Sequence, residues 1–173
     1  MKAFDAKSII AEEVAALLGG RAGSLVDGEI IAGDGAKITL QDPATGDALL
    51  EYNSAGPALV AQAASGAARA QGIWQGLSGA ERGRRLWAMA PLLRQAAESL
   101  ARLESAQTGK PLRDARAEVA RVAEMAEYWA GWCDKIEGRI IPVPSGHTVM
   151  VRREALGVVL AITPWNAPIF TAG

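Results

Sequence analysis

The spacing of apolar positions changes several times along the chain, and each change marks an element. From Ser8 to Leu18 the residues Ile10, Val14, Leu17 and Leu18 fall at helical spacing, with Glu12 and Glu13 on the other side, and Gly19-Gly20 ends the run. That predicts an amphipathic helix, laid either on the body of the fold or on a partner. Leu25 to Ile31 alternates around Asp27-Gly28, a residue pair suited to a tight hairpin turn. Lys37 to Gln41 and Ala48 to Tyr52 read as short strands joined by Asp42-Pro43-Ala44-Thr45-Gly46. Proline presets one turn dihedral and glycine accepts a positive one, so this link is structural.

Pro57 fits the first turn of a helix. Its Val60, Ala63, Ala64, Ala67 and Ala68 make a small-residue face that another element can approach closely, and Ile73 and Trp74 close the segment. Ser78 and Glu81 have the spacing of a capping box. Behind them Leu86, Met89, Leu93, Ala97, Leu100 and Leu103 recur every three or four residues, which predicts one long helix. Arg82, Arg84 and Arg85 read as its solvated face rather than as a phosphate patch. Thr108-Gly109-Lys110-Pro111 stops that helix and starts the next. It is not a phosphate loop, because Glu104 and Pro111 stand where such a loop needs a glycine and a hydroxyl.

From Leu112 to Ile136 a second apolar stripe runs through Ala115, Val119, Val122, Ala126, Trp129, Ala130 and Cys133. Cys133, on that stripe beside Trp132, reads as a buried structural thiol; a nucleophile needs a neighbouring base or cation. Arg139 to Val143 and Thr148 to Arg153 read as a hairpin with Pro144-Ser145-Gly146 at its tip. His147, the only histidine, reads as exposed and inert, and no metal site is expected.

The final pattern is a short run without a polar side chain, Gly157 to Ile162, bounded by Pro164. It predicts a strand buried on both faces. Trp165 and Asn166 follow, held between Pro164 and Pro168. Ligands of open α/β sheets bind at the carboxyl ends of strands, so this loop is the candidate site. The alternatives are an Asn166 amide capping the next helix and a Trp165 packed in the core.

Composition narrows the classes. Of the 173 residues 50% are hydrophobic and 21% charged, which suits a globular chain of one domain or slightly more. A net charge of −1 gives no field for nucleic acid or anionic lipid. No apolar run approaches the roughly 20 residues of a membrane span. One cysteine fits a reducing compartment, so a cytoplasmic protein is expected. No G-x-G-x-x-G stands anywhere in the chain.

Several stretches together resemble one family. "DPATG" at Asp42 to Gly46, "IWQGLSGAERGRRLW" at Ile73 to Trp87, "TGKP" at Thr108 to Pro111, "EYWAGWCDKIEG" at Glu127 to Gly138 and "RREALGVVLAITPWNAP" at Arg152 to Pro168 follow the order and spacing of the NAD(P)-dependent aldehyde dehydrogenase superfamily. The likeness covers about residues 25 to 173 and is to the amino-terminal portion of longer enzymes. It implies an α/β fold class: helices, a β-hairpin oligomerisation ribbon and the first strand of an incomplete Rossmann-like cofactor domain. The expected division is an amino-terminal helix at 1–22, outside the likeness, then a helical part of the cofactor-domain region with small strands at 23–138, the ribbon at 139–154 and the truncated start of the cofactor sheet at 155–173.

The resemblance further implies NAD or NADP as cofactor, with Ile162, Thr163, Pro164 and Trp165 lining its nicotinamide side without a G-x-G-x-x-G motif. Asn166 is implied as the catalytic donor to an oxyanion, a small aldehyde as substrate, and homo-oligomers paired through 139–154. Ala155 and Ala167 depart from the family's commoner proline and larger residue, which bears on strand entry and on substrate size. The nucleophilic cysteine and the carboxylate that activates water are expected beyond Gly173, so the chain alone is expected not to turn over. Without sheet neighbours, Val158, Val159, Leu160 and Ile162 are expected to lie exposed and the terminal segment to be poorly anchored. Two competing readings are a non-catalytic module that pairs with a full-length subunit, and a helical structural protein.

Overall fold

The computed structural model describes residues 5–144 and 146–173. The first helix, α1 (Ala6–Leu18), starts two residues earlier than its pattern predicts. The cause is a side-chain cap: the Asp5 carboxylate accepts from the Lys7 and Ser8 N–H groups at 3.1 and 3.3 Å. Gly19 closes the helix in the left-handed region. Ala6, Ile9, Ile10 and Val14 form its inner face, packed with Leu49 and Ala106. Glu13, expected on the outer side, is buried. Arg102 makes that possible by reaching Oε1 of Glu13 at 2.8 Å while also holding Oε2 of Glu12 at 3.0 Å.

Strands β1 (Ser24–Val26) and β2 (Glu29–Ile31) pair antiparallel, Val26 opposite Glu29. Asp27 and Gly28 both take positive φ, 51° and 86°, as the twist of a two-residue hairpin demands. Strands β3 (Lys37–Gln41) and β4 (Ala48–Asn53) form a second antiparallel pair with Leu40 opposite Leu50. In their turn, the Asp42 carbonyl accepts from Gly46 N–H at 2.8 Å and its carboxylate from Ala44 N–H at 2.7 Å.

Helix α2 (Pro57–Gly76) begins at its proline but buries a different face from the expected one. Leu59 and Gly66 are buried; Val60, Ala64, Ala67 and Ala68 are exposed. The contact that decides this is with Asp27. A β-carbon at Gly66 would lie 2.3 Å from its Oδ1, and Arg69 binds its Oδ2 at 2.9 Å.

The predicted long helix is three: α3 (Gly79–Trp87), α4 (Met89–Gln95) and α5 (Ala97–Thr108). Ser78 and Glu81 form the full capping box at the start. Pro91 accounts for the first break, since it has no N–H for the Trp87 carbonyl and its ring crowds that position. Met89, expected inward, is consequently exposed. Arg82, expected in solvent, is partly buried and donates to the Leu77 carbonyl just beyond α2.

Helix α6 (Leu112–Ala130) lies along α3, α4 and α5. The seam is mostly small: Ala90, Ala101, Ala115, Val119, Val122 and Ala123 are buried, which lets the helices sit close. Turns replace helix from Gly131 onward, earlier than predicted. Cys133, beyond the helix end, is half-buried rather than buried, its Sγ donating to the Trp129 carbonyl at 3.5 Å; Trp129, within α6, is exposed.

Strands β5 (Arg139–Ile141) and β6 (Val149–Val151) pair antiparallel and are exposed throughout, shorter than the sequence suggests. Ser145, at the expected hairpin tip, lies outside the described residues. The chain closes with α7 (Pro168–Ala172), which rests on α6. The fold is therefore α/β in content, with three two-stranded sheets among the described residues and two core clusters, one between α1, β4 and α5 and one between α5 and α6.

Candidate active site

Residues 157–162 form no strand. The apolar run predicts a strand buried on both faces, and such a strand takes its stability from ladders on both sides and helices above and below. No described strand lies beside it. Leu160 and Ile162 are accordingly 84% and 89% exposed. The exposure matches the expectation for a segment lacking sheet neighbours. The residues after it are anchored: Ile169 of α7 packs on Ala115 and Val119, and Gly173 lies against Val122.

Between these two parts sit the residues singled out from the sequence. Thr163, Pro164 and Asn166 are exposed, and Trp165 is 81% exposed and not packed in the core of these residues. The other alternative, a capping amide, is not observed either. The N-cap of α7 is Ala167 and no side chain caps it, while Thr171 Oγ1 bonds back to the Ala167 carbonyl at 2.7 Å. Asn166 thus lies exposed on a short loop between Pro164 and a docked helix.

A cleft of about 660 Å³ reaches the start of the stretch at Glu154 and Ala155, and its lining includes Trp74, Arg82, Cys133 and Arg153 but not Asn166. The candidate residues are therefore adjacent in sequence, on one exposed loop outside this cleft. His147 is exposed, and no group of three metal-ligating side chains occurs among the described residues.

The charged site that sequence reasoning missed is elsewhere. Lys110, at the α5–α6 turn, is held by Glu104 and, at 2.6 Å, by Glu118. The signal was present: Glu104 falls four residues after Leu100 and seven after Ala97, on the apolar stripe itself. Two carboxylates elsewhere behave as ordinary surface partners. A hydrogen bond from Arg94 lowers the pKa of Glu127, and one from Arg116 lowers that of Glu98.

The comparisons bring these observations together. The sequence model described as the aldehyde dehydrogenase family matches residues 30–173, from β2 to the end of α7. The chain belongs to the aldehyde dehydrogenase family. It is 41% identical over 133 residues to the (Z)-2-((N-methylformamido)methylene)-5-hydroxybutyrolactone dehydrogenase of Acinetobacter baylyi, covering 75% of this chain and 27% of that protein. With the betaine aldehyde dehydrogenase of Bacillus subtilis it shares 36% over 152 residues, 85% of this chain and 31% of that one. A solved betaine aldehyde dehydrogenase double mutant from Staphylococcus aureus, in complex with NAD+, superimposes with a TM-score of 0.80 at 26% identity, over 93% of this chain and 33% of that one. The chain spans about a third of the length of these family members. Among its described residues no helix is long and apolar enough to cross a membrane.

Proposed function

We propose that these residues are the amino-terminal part of an oxidoreductase that oxidises an aldehyde to a carboxylic acid with NAD+ or NADP+. The observation that carries the reading is the family match over residues 30–173, a span that includes Ile162 to Asn166, the stretch that offers a donor amide on a proline-held loop. The names of the relatives, a betaine aldehyde dehydrogenase and an NAD+ complex among them, support the substrate class and the cofactor. In this reading 157–162 becomes the first strand of the cofactor sheet once other strands lie beside it. The 139–154 hairpin pairs subunits into a homo-oligomer, 1–22 and 23–138 make up the helical body, and the protein works in the cytoplasm on a small aldehyde.

The residues suit such a cofactor as one wall of its site. Ile162 and Trp165 expose apolar side chains able to lie against a flat ring, with the stiff Thr163-Pro164 backbone between them. A bound nicotinamide supplies the hydride acceptor. The chain's own contribution is at the carbonyl. Addition of a thiolate to an aldehyde carbon converts its oxygen to an oxyanion, and loss of hydride from that carbon leaves a thioester, which water cleaves to the acid and the free thiol. The Asn166 amide is a donor that stays neutral and does not protonate the oxyanion; one such donor is worth about 10²–10³ in turnover. The thiol is assigned to a cysteine outside these residues, since Cys133 bonds to the Trp129 carbonyl at the end of α6 and lines a cleft that excludes Asn166. The 173 residues alone accordingly do not turn over.

The test is the full-length protein that carries this segment, assayed for aldehyde-dependent reduction of NAD+ and NADP+. Asn166→Ala is expected to lower kcat by about 10²–10³ with cofactor binding retained. An unchanged kcat would remove Asn166 from the chemistry, and no reduction with any aldehyde would favour the non-catalytic pairing module.

A further inference from the structure

The α5–α6 turn gathers three charged groups where water barely reaches. The Glu104 side chain is 3% exposed, Lys110 13% and Glu118 25%. Lys110 Nζ donates to Oε1 of Glu104 and to Oε2 of Glu118, so one ammonium serves two carboxyl groups. Oε2 of Glu104 is buried without a hydrogen-bond partner among the described residues.

The charges on the surrounding elements are engaged elsewhere. From α1, Glu12 and Glu13 are taken up by Arg102 of α5. From α4, Arg94 is bound to Glu127. On α6, Asp114 pairs with Arg113, and Arg116 with Glu98. In the β3–β4 turn, Asp42 spends its carboxylate on the Ala44 N–H. With both glutamates ionised, the cluster would keep a net negative charge in a low-dielectric site and an acceptor with no donor, each of which is costly. One proton removes one of the two like charges and turns an unpaired acceptor into a donor.

We infer that this turn takes up one proton as the chain folds, held on the Glu104 carboxyl beside Glu118 and Lys110, and that the proton is part of what holds the turn closed. Burial pushes the Glu104 carboxyl above the ordinary glutamate range; Lys110 opposes that and Glu118 adds to it. For Lys110 burial acts downward, but the hydrogen bonds to the two glutamates outweigh it and leave its pKa raised. The rest of the turn is already fixed by neutral bonds, Ser105 Oγ to the Lys110 carbonyl and Thr108 Oγ1 to the Glu104 carbonyl, both at 2.7 Å. A carboxyl whose pKa is raised on folding contributes stability that is complete below its unfolded value and lost as pH rises through its folded value.

The experiment compares urea unfolding of the 173-residue chain with that of Glu104→Gln between about pH 4 and about pH 8. The variant places a neutral donor where the inference places the proton. The folded-to-unfolded ratio of the unaltered chain, divided by that of the variant, is expected to fall with rising pH by up to about tenfold per unit, the slope of one proton. A flat quotient, or one that rises with pH, overturns the inference. If Glu104→Gln does not fold, carbon-13 titration of the glutamate carboxyls in the unaltered chain decides it. An inflection for Glu104 above those of the exposed glutamates supports the proton on Glu104, and one at or below them overturns it.

Discussion

Replacing Lys110 with methionine keeps the reach of the side chain and removes its charge. Glu104 and Glu118 would then face each other across the α5–α6 turn without a cation. Breaking such a buried cluster from one side leaves its other members unsatisfied, so Lys110→Met is expected to cost about 3 kcal/mol in urea unfolding near neutral pH. A loss indistinguishable from that of an exposed lysine would mean that the ion cluster is not stabilising. Other single residues were readable from their neighbours in sequence: Asp27-Gly28 as a turn, Ser78 with Glu81 as a cap, Gly109 as a helix stop. The buried charges were not. Glu13 is inside because Arg102 meets it, and Arg102 stands 90 positions from the adjacent Glu12. A hydropathy pattern places a carboxylate outside by default, and only a distant partner reverses that.

Gly109 ends α5 in the left-handed region with φ of 75°, and it faces the turn between β3 and β4. A β-carbon there would lie 3.0 Å from Pro43 Cγ. Gly109→Ala meets both a disfavoured dihedral and a crowded neighbour, and is expected to destabilise the chain by about 1–2 kcal/mol. Thermal unfolding would register this, and an unchanged midpoint would mean that the two turns do not press on each other. Element type was legible wherever it depended on local chemistry, which covers the three hairpins and α1, α2 and α6. Element length was less so. The stripe from Leu86 to Leu103 continues through Ala88 and Ala96 without a change of period, yet the backbone breaks at both. The proline that explains the first break sits three residues beyond it, inside a run that otherwise reads as helix. The stripe after Leu112 likewise continued on paper past Ala130, where turns begin.

Over the whole chain, packing divides a core that runs from α1 to α6 from a stretch, 152–166, that has neither helix nor strand. Limited proteolysis is expected to cut first in this stretch, before any site within α3 to α6. Its backbone is exposed, whereas the helices are held by buried seams. Initial cleavage inside α6, with 152–166 intact, would show that the stretch is protected in solution, for instance by association of its exposed apolar residues.

The sequence alone determined the hairpin turns, the Ser78–Glu81 cap and the family, because each is written in residues close together or in motifs whose order survives without contacts. It named Asn166 and its neighbours as the residues of interest, but not their surroundings. Tertiary structure decided which charges are buried, where α2 and the long stripe turn their faces, and that the run from Gly157 to Ile162 stays extended and exposed. The reason is the same in each case. A buried charge needs an opposite charge and a sheet strand needs a neighbour, and a partner's presence is a property of the folded surroundings rather than of the segment.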